Sequence, residues 1–176
     1  MVALAGALRA NGTAFYNAAI TGNAGSGILV DLHPLSRGTV AIDPAAPSAE
    51  PRVDYRALSN PVDALVMGDL VRYSRRFYTA TPGGKRFGGA ETSPGAAVQT
   101  DDDFRGWLER TLSPTEYHPV GTCAMLPREL GGVVDERLLV YGVRNLRIVD
   151  GSIMPTLPGG NTCQTVYAVA EKVSPV

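Results

Sequence analysis

Residues 59–80, SNPVDALVMGDLVRYSRRFYTA, carry the clearest helical period in the chain. Asn60 offers a side-chain acceptor at the start, and Pro61 suits the first helical position, where its missing N–H costs nothing. Asp63 places negative charge at the positive end of the helix dipole. Val62, Leu65, Val66, Leu70, Tyr73 and Phe77 fall on one stripe, and the spacing predicts that this stripe faces the core.

Around this helix the chain is cut into short pieces by 20 glycines and 13 prolines, dispersed throughout. They mark many turns between short elements. Strands are predicted over 12–20 (GTAFYNAAI), 28–32 (ILVDL, closed by Pro34), 36–43 (SRGTVAID) and 52–55 (RVDY). Residues 22–27 and 44–51 read as a loop and a Pro-rich connector, and 81–99 as a Gly-rich connector. A second helix over 101–112 is expected to be Asp-capped, with Phe104, Trp107 and Leu108 on one face. RLLVYG (137–142) and LRIVDGS (146–152) read as short strands joined by a turn. A third helix, 161–173, takes Asn161 or Thr162 as cap and turns Val166, Ala170 and Val173 inward. Helices mixed with strands at irregular spacing predict an α+β fold; the βαβαβ rhythm of a complete doubly wound domain is absent.

The formal net charge is −1, which gives no steering toward nucleic acid or an anionic membrane. No apolar run approaches the roughly 18 residues of a membrane-spanning helix. The start, MVALAGALRANGT, has no basic region, and Arg9 interrupts its apolar run, so it does not read as a signal peptide. The two cysteines make no disulfide framework. His33, His118, Cys123 and Cys163 offer a zinc reading, but without a paired C-x-x-C or H-x-x-x-H spacing, and no metal is expected. GNAGSG, residues 22–27, reverses the G-x-G-x-x-G order and leads into a strand, so it reads as a loop; no dinucleotide-binding fingerprint is present. No G-x-S-x-G nucleophile elbow occurs either.

Three places carry candidate chemistry. His118, in YHPVGTCAM (117–125), enters a Pro-Val-Gly turn after a helix. An imidazole at an element end titrates near neutral pH and suits the removal of a hydroxyl proton, though a lone histidine is also a common structural residue. Asp150 and Gly151 close the predicted strand LRIV, where a carboxylate and a glycine can face a ligand or simply cap a turn. Asn161 opens the last helix, as a cap or beside an electronegative ligand drawn to the free N–H groups.

Together these segments resemble the C-terminal part of the glucose–methanol–choline (GMC) oxidoreductases, a family of FAD enzymes. YHPVGTCAM resembles the family's catalytic-histidine segment, GGVVDERLLVYGVRNLRIVDGSIMP the flavin-side segment after it, and GGNTCQTVYAVAEK its final helix. Upstream, LHPLSRGTVAID and YRALSNPVDALVMGDL are similar to its substrate-domain strand and helix, so the likeness covers roughly residues 28–174. The resemblance implies an antiparallel sheet backed by helices over residues 1–115, the substrate-domain portion. Over 116–176 it implies the histidine segment with the last strand and helix of the FAD-binding domain. It implies FAD as cofactor, a small-molecule alcohol as substrate, and His118 as the base that takes the alcohol proton. Asn161 falls where the family places a second active-site His or Asn; as an amide it takes up no proton. Asp150, Gly151, Asn161 and Thr162 would lie beside FAD, the last two at the flavin's pyrimidine edge. The family's N-terminal dinucleotide-binding half has no counterpart here, and would be a partner. A binding or scaffold protein of the same fold, unable to hold FAD alone, is the alternative.

Overall fold

The computed structural model describes residues 27–87 and 91–173. The predicted strand 12–20 and nearly all of the loop 22–27 lie outside them. The described residues form two compact units, one of residues 27–37 and 56–116, the other of residues 38–55 and 117–173.

The first unit is built on two helices. Helix α1 (Pro61–Ala80) starts as its sequence dictates: Asn60 Oδ1 accepts the Val62 N–H at 3.0 Å, and proline takes the first turn. Thr81 ends it by bonding the Phe77 carbonyl through both its N–H and its hydroxyl, and then starts α2 (Pro82–Phe87) by accepting the Gly84 N–H at 3.0 Å. The Gly-rich stretch therefore opens as a six-residue helix and not as a loop. Glycine is needed at 84, because a Cβ there would lie 2.2 Å from the Phe77 carbonyl oxygen.

Helix α3 (Asp101–Thr111) is capped by Thr100, not by an aspartate. The Thr100 hydroxyl accepts the Asp103 N–H while the Asp103 carboxylate accepts the Thr100 N–H at 2.9 Å, a reciprocal capping box. These bonds, backbone first, hold the Asp103 pKa below its ordinary 3.8. A depressed folded-state pKa gives stability that is present above the unfolded value and lost as pH falls through the folded one. Asp103→Asn should therefore be less stable than the parent in urea at neutral pH. The gap should close in acid, below pH ~4; a gap of constant size across that range would contradict the capping role.

The core of this unit joins Ala64, Met67 and Val71 of α1 to Phe104, Trp107 and Leu108 of α3. The α3 face matches the expected one. The α1 face does not. Val62, Leu65, Val66, Tyr73 and Phe77 are exposed and Leu70 is half-buried. The buried face is Asp63, Ala64, Met67, Gly68 and Val71. Small residues decide this: at Gly68 a Cβ would already touch the Phe104 ring at 3.5 Å, so α1 approaches α3 along its small side. Asp63 anchors the same face, its carboxylate accepting the N–H groups of Leu35 and Ser36, each at 2.8 Å. Asp31 Oδ1 accepts the His33 N–H in turn. These caps bend the segment predicted as the strand 28–32, where only Leu29 keeps a single bridge. Arg72 and Arg75 stack their guanidinium groups over Phe104 at 4.7 and 5.2 Å, and Arg75 grips Glu91 through two nitrogens.

In the second unit, β1 (Thr39–Ala41) and β2 (Arg52–Asp54) pair antiparallel, with Val40 opposite Val53. All six residues are exposed, so the expected sheet backed by helices is here a bare two-stranded ribbon. Predicted strands at 137–142 and 146–152 reduce to isolated bridges, Val134 with Val140 and Leu139 with Arg147. Side chains occupy the groups a ladder would use: Asp135 Oδ1 accepts the Arg137 and Leu139 N–H groups, and Arg147 Nε donates to the Arg137 carbonyl. Helix α4 (Cys163–Val173) forms as predicted and leans Val169 and Val173 on a core of Val134, Leu138 and Ile153. Ala170, expected inward, is exposed. Helices with a small antiparallel pair make the fold α+β at this level. Among the described residues no helix is long and apolar enough to cross a membrane.

Candidate functional site

All the candidate residues, 118, 150, 151, 161 and 162, fall in the second unit. Three segments meet there. The histidine segment is tied to the segment that follows Asp150 by two backbone bonds, Cys123 N–H to the Ser152 carbonyl (3.0 Å) and Met125 N–H to the Ile153 carbonyl (2.8 Å). Gly121, with φ at +85°, makes the turn that brings them together; a Cβ there would lie 3.2 Å from the Met154 carbonyl oxygen. Gly151 is the meeting point. A Cβ at Gly151 would stand 4.0 Å from Val120, two residues past His118, and 3.6 Å from Val166, within the first turns of α4.

The His118 imidazole is half-buried and makes no hydrogen bond or ion pair with any described residue. Its backbone neighbours are constrained. Tyr117 stands in the left-handed region with φ at +64° and is 88% exposed. Asp150 is exposed and caps the short 3-10 turn Gly151–Ile153, with Oδ1 accepting the Ser152 N–H at 2.7 Å. Its turn-capping function is thus plain, while Oδ2 stays without a partner among the described residues.

The start of α4 differs from those of α1 and α3. Asp63 lies in the first turn of α1 and three aspartates in that of α3, whereas α4 has no acidic residue there. Thr162 is buried and its carbonyl takes the first helical bond, from the Val166 N–H at 2.9 Å. The N–H groups of residues 163–165 precede that bond and have no helical acceptor. The Asn161 amide is exposed and unpaired among the described residues. This is a donor set with no acidic residue in its own first turn, suited to an electronegative ligand edge. At Gly151 a methyl would meet its neighbours among the described residues only at ordinary contact distance, so none of them demands glycine there.

No hydrogen bond joins His118 to Asn161 among the described residues. Among them no group of three or more His, Cys, Asp or Glu side chains is placed to hold a metal ion. Nothing in the residue pattern marks Tyr117's left-handed backbone, or Glu116 in the first unit, whose Oε2 is buried without a hydrogen-bond partner among the described residues. Neither has a compositional signature, because both depend on how the chain turns.

A family model described as GMC oxidoreductase matches residues 34–170. The chain belongs to the GMC oxidoreductase family. It is 41% identical over 139 residues to the GMC oxidoreductase family protein Mala s 12 of Malassezia sympodialis, covering 79% of this chain and 22% of that protein. Among solved structures it is similar to an FAD-dependent oxidoreductase from Chaetomium thermophilum, at TM-score 0.76 and 38% identity over 81% of this chain and 24% of that one. It is also similar to a fungal aryl-alcohol oxidase, at TM-score 0.71 and 44% identity over 81% of this chain and 23% of that one. The chain thus spans about a quarter of the length of these relatives.

Proposed function

We propose that this chain is the C-terminal portion of an FAD-dependent alcohol oxidoreductase, and that His118 is the base that takes the alcohol proton. The convergence of the His118, Gly151 and α4 segments at one point carries the reading. When bound, FAD supplies the oxidant, receiving the hydride that leaves the alcohol carbon. The chain's residues supply the rest. The half-buried His118 imidazole, unpaired among the described residues, has a nitrogen to accept the hydroxyl proton, so that R–CH₂–OH becomes R–CHO as the O–H and C–H bonds break. Asn161 has an amide donor to hold the substrate oxygen or the cofactor edge without titrating. The free N–H groups at the start of α4, with Asn161 and Thr162, favour negative charge on the group they face, and one donor so placed is typically worth roughly 3 kcal/mol in catalysis. Asp150 and Gly151 flank the same group, the glycine leaving its face uncovered.

The complete protein carrying this segment, purified with its flavin, should bleach when mixed anaerobically with a primary alcohol. Asn161→His should keep that activity and add or move a limb in the pH–rate profile, because an imidazole titrates where an amide does not. A flavin that no alcohol bleaches would sink the redox reading and favour a binding role. An unaltered pH profile at normal flavin content would remove Asn161 from the site.

A further inference from the structure

We infer that the outward face of α1 is an interface between two copies of this chain, packed antiparallel, with Asp69 of each copy paired to Arg76 of the other. The inference does not depend on the chemistry of the second unit. It starts from what the core leaves out. Val62, Leu65, Val66, Tyr73 and Phe77 are exposed along α1, while Ala64, Met67 and Val71 are buried on its other side. Contiguous exposed apolar surface of this type marks a place of association. Val66, Asp69, Leu70, Tyr73 and Arg76 border one open groove on this face.

The face repeats every seven residues. Val66, Tyr73 and Ala80 fall on one line, Leu70 and Phe77 on a second, and Asp69 and Arg76 on a third, because seven residues make close to two turns. That spacing lets two helices lie side by side at about 20°. The charged line decides their direction. In a parallel pair in register, Asp69 would stand opposite Asp69 and Arg76 opposite Arg76, and like charges repel. In an antiparallel pair with its two-fold axis level with the peptide bond between residues 72 and 73, residue 69 of each copy is level with residue 76 of the other. The two-fold axis keeps each line on the same side of the seam in both copies, so opposite charges meet twice. The same register sets Leu65 level with the partner's Ala80, and Phe77 between the heights of the partner's Val66 and the partner's Leu70. Residues 65–80 overlap, roughly 24 Å of helix. An interface of this length is modest, so the dimer should dissociate on dilution.

Both charged groups are available. Arg76 makes no hydrogen bond or ion pair with any described residue. Asp69 meets Arg72 through Oδ1 at 2.9 Å, and its side chain is 77% exposed. Arg72 and Arg75, the other cations beside the groove, already have Asp101 and Glu91 as partners. Arg76 is thus the cation there that still lacks a carboxylate among the described residues.

The test is charge reversal in the 176-residue chain, read by sedimentation equilibrium, with circular dichroism as the control for folding. The parent should reach a dimer as concentration rises. Asp69→Arg and Arg76→Asp should each weaken dimerisation ~10-fold or more, since each sets like charges opposite one another twice. Loss of the Asp69–Arg72 contact matters little, because that pair is exposed and Arg72 keeps Asp101. The double variant Asp69→Arg/Arg76→Asp restores opposite charges and should dimerise within about threefold of the parent. Mixing the two single variants should give a heterodimer tighter than either variant forms alone, because two cations of one chain then face two carboxylates of the other. Should a single variant fail to fold, the double variant still decides, since it must recover what reversal at one position removes. A chain that stays monomeric at every concentration would overturn the inference and leave this face to the remainder of the enzyme. Association that neither single reversal weakens would overturn it in favour of another surface, such as the β1–β2 edge. A folded double variant that stays as weak as the single ones would overturn the pairing of Asp69 with Arg76.

Discussion

In the complete flavoenzyme that carries this segment, His118→Ala should lower alcohol turnover by roughly the 10²–10⁴-fold expected of a general base, with flavin still bound. The size follows from the chemistry left behind. Without an acceptor the hydroxyl proton must pass to water while the C–H bond breaks, and the α4 donors cannot take it, since amide groups only donate or accept hydrogen bonds. Part of the loss should return at high pH, where the substrate alkoxide is more available and no base is required. The side chain is half-buried and has no polar partner among the described residues, so its removal should disturb the fold little. Turnover measured by product formation, with flavin content as the control, checks this. Undiminished turnover at normal flavin content would remove the base assignment.

The second large effect concerns the 176-residue chain by itself. It should show no alcohol oxidation and should associate with itself. Val62, Leu65, Val66, Tyr73 and Phe77 form an exposed stripe along α1, and Val40, Ile42 and Val53 stand exposed on or beside the bare β1–β2 pair. Exposed contiguous apolar surface and unpaired strand edges both invite association, and a two-stranded ribbon is marginal alone. In the reading proposed here, these surfaces belong against the remainder of the enzyme. Sedimentation at several concentrations reads the effect. A monodisperse monomer over the whole range would mean that the stripe and the ribbon need no cover.

Much of the helical framework was legible in the sequence because it is written in local chemistry. Asn60 and Pro61 start α1 where their side chains require, and Phe104, Trp107 and Leu108 are buried as their spacing predicts. Which face of α1 is buried was not legible. Counting large apolar residues picks the stripe through Val62 and Tyr73, but the close approach of α3 is decided by small residues, Ala64 and Gly68, which carry little weight in a hydrophobic pattern. The strands failed for a related reason. A strand is a property of its neighbours, and LRIV, alternating as a strand should, finds only single bridges where Asp135 and Arg147 take up the backbone groups. At the site, His118, Asp150, Gly151 and Asn161 stood out through motif likeness and residue type. That Gly151 lies between Val120 and Val166 came only from tertiary contact, and the left-handed backbone of Tyr117 leaves no mark in composition.

FAD binding tests the central claim most directly. The pyrophosphate of FAD needs a glycine-rich turn at a helix N-terminus, where backbone N–H groups can approach it. The sequence contains no such fingerprint, and Asp150, Gly151, Asn161 and Thr162 would reach one side of the cofactor only. Titration of the 176-residue chain with FAD, followed by flavin fluorescence, should show weak binding or none. Addition of a dinucleotide-binding half, separately produced, should restore stoichiometric flavin binding and bring the two polypeptides together in sedimentation. Submicromolar, stoichiometric binding by the lone chain, or no gain on adding that half, would contradict the assignment of this chain as the base-bearing, pyrimidine-side portion of an FAD-dependent alcohol oxidoreductase.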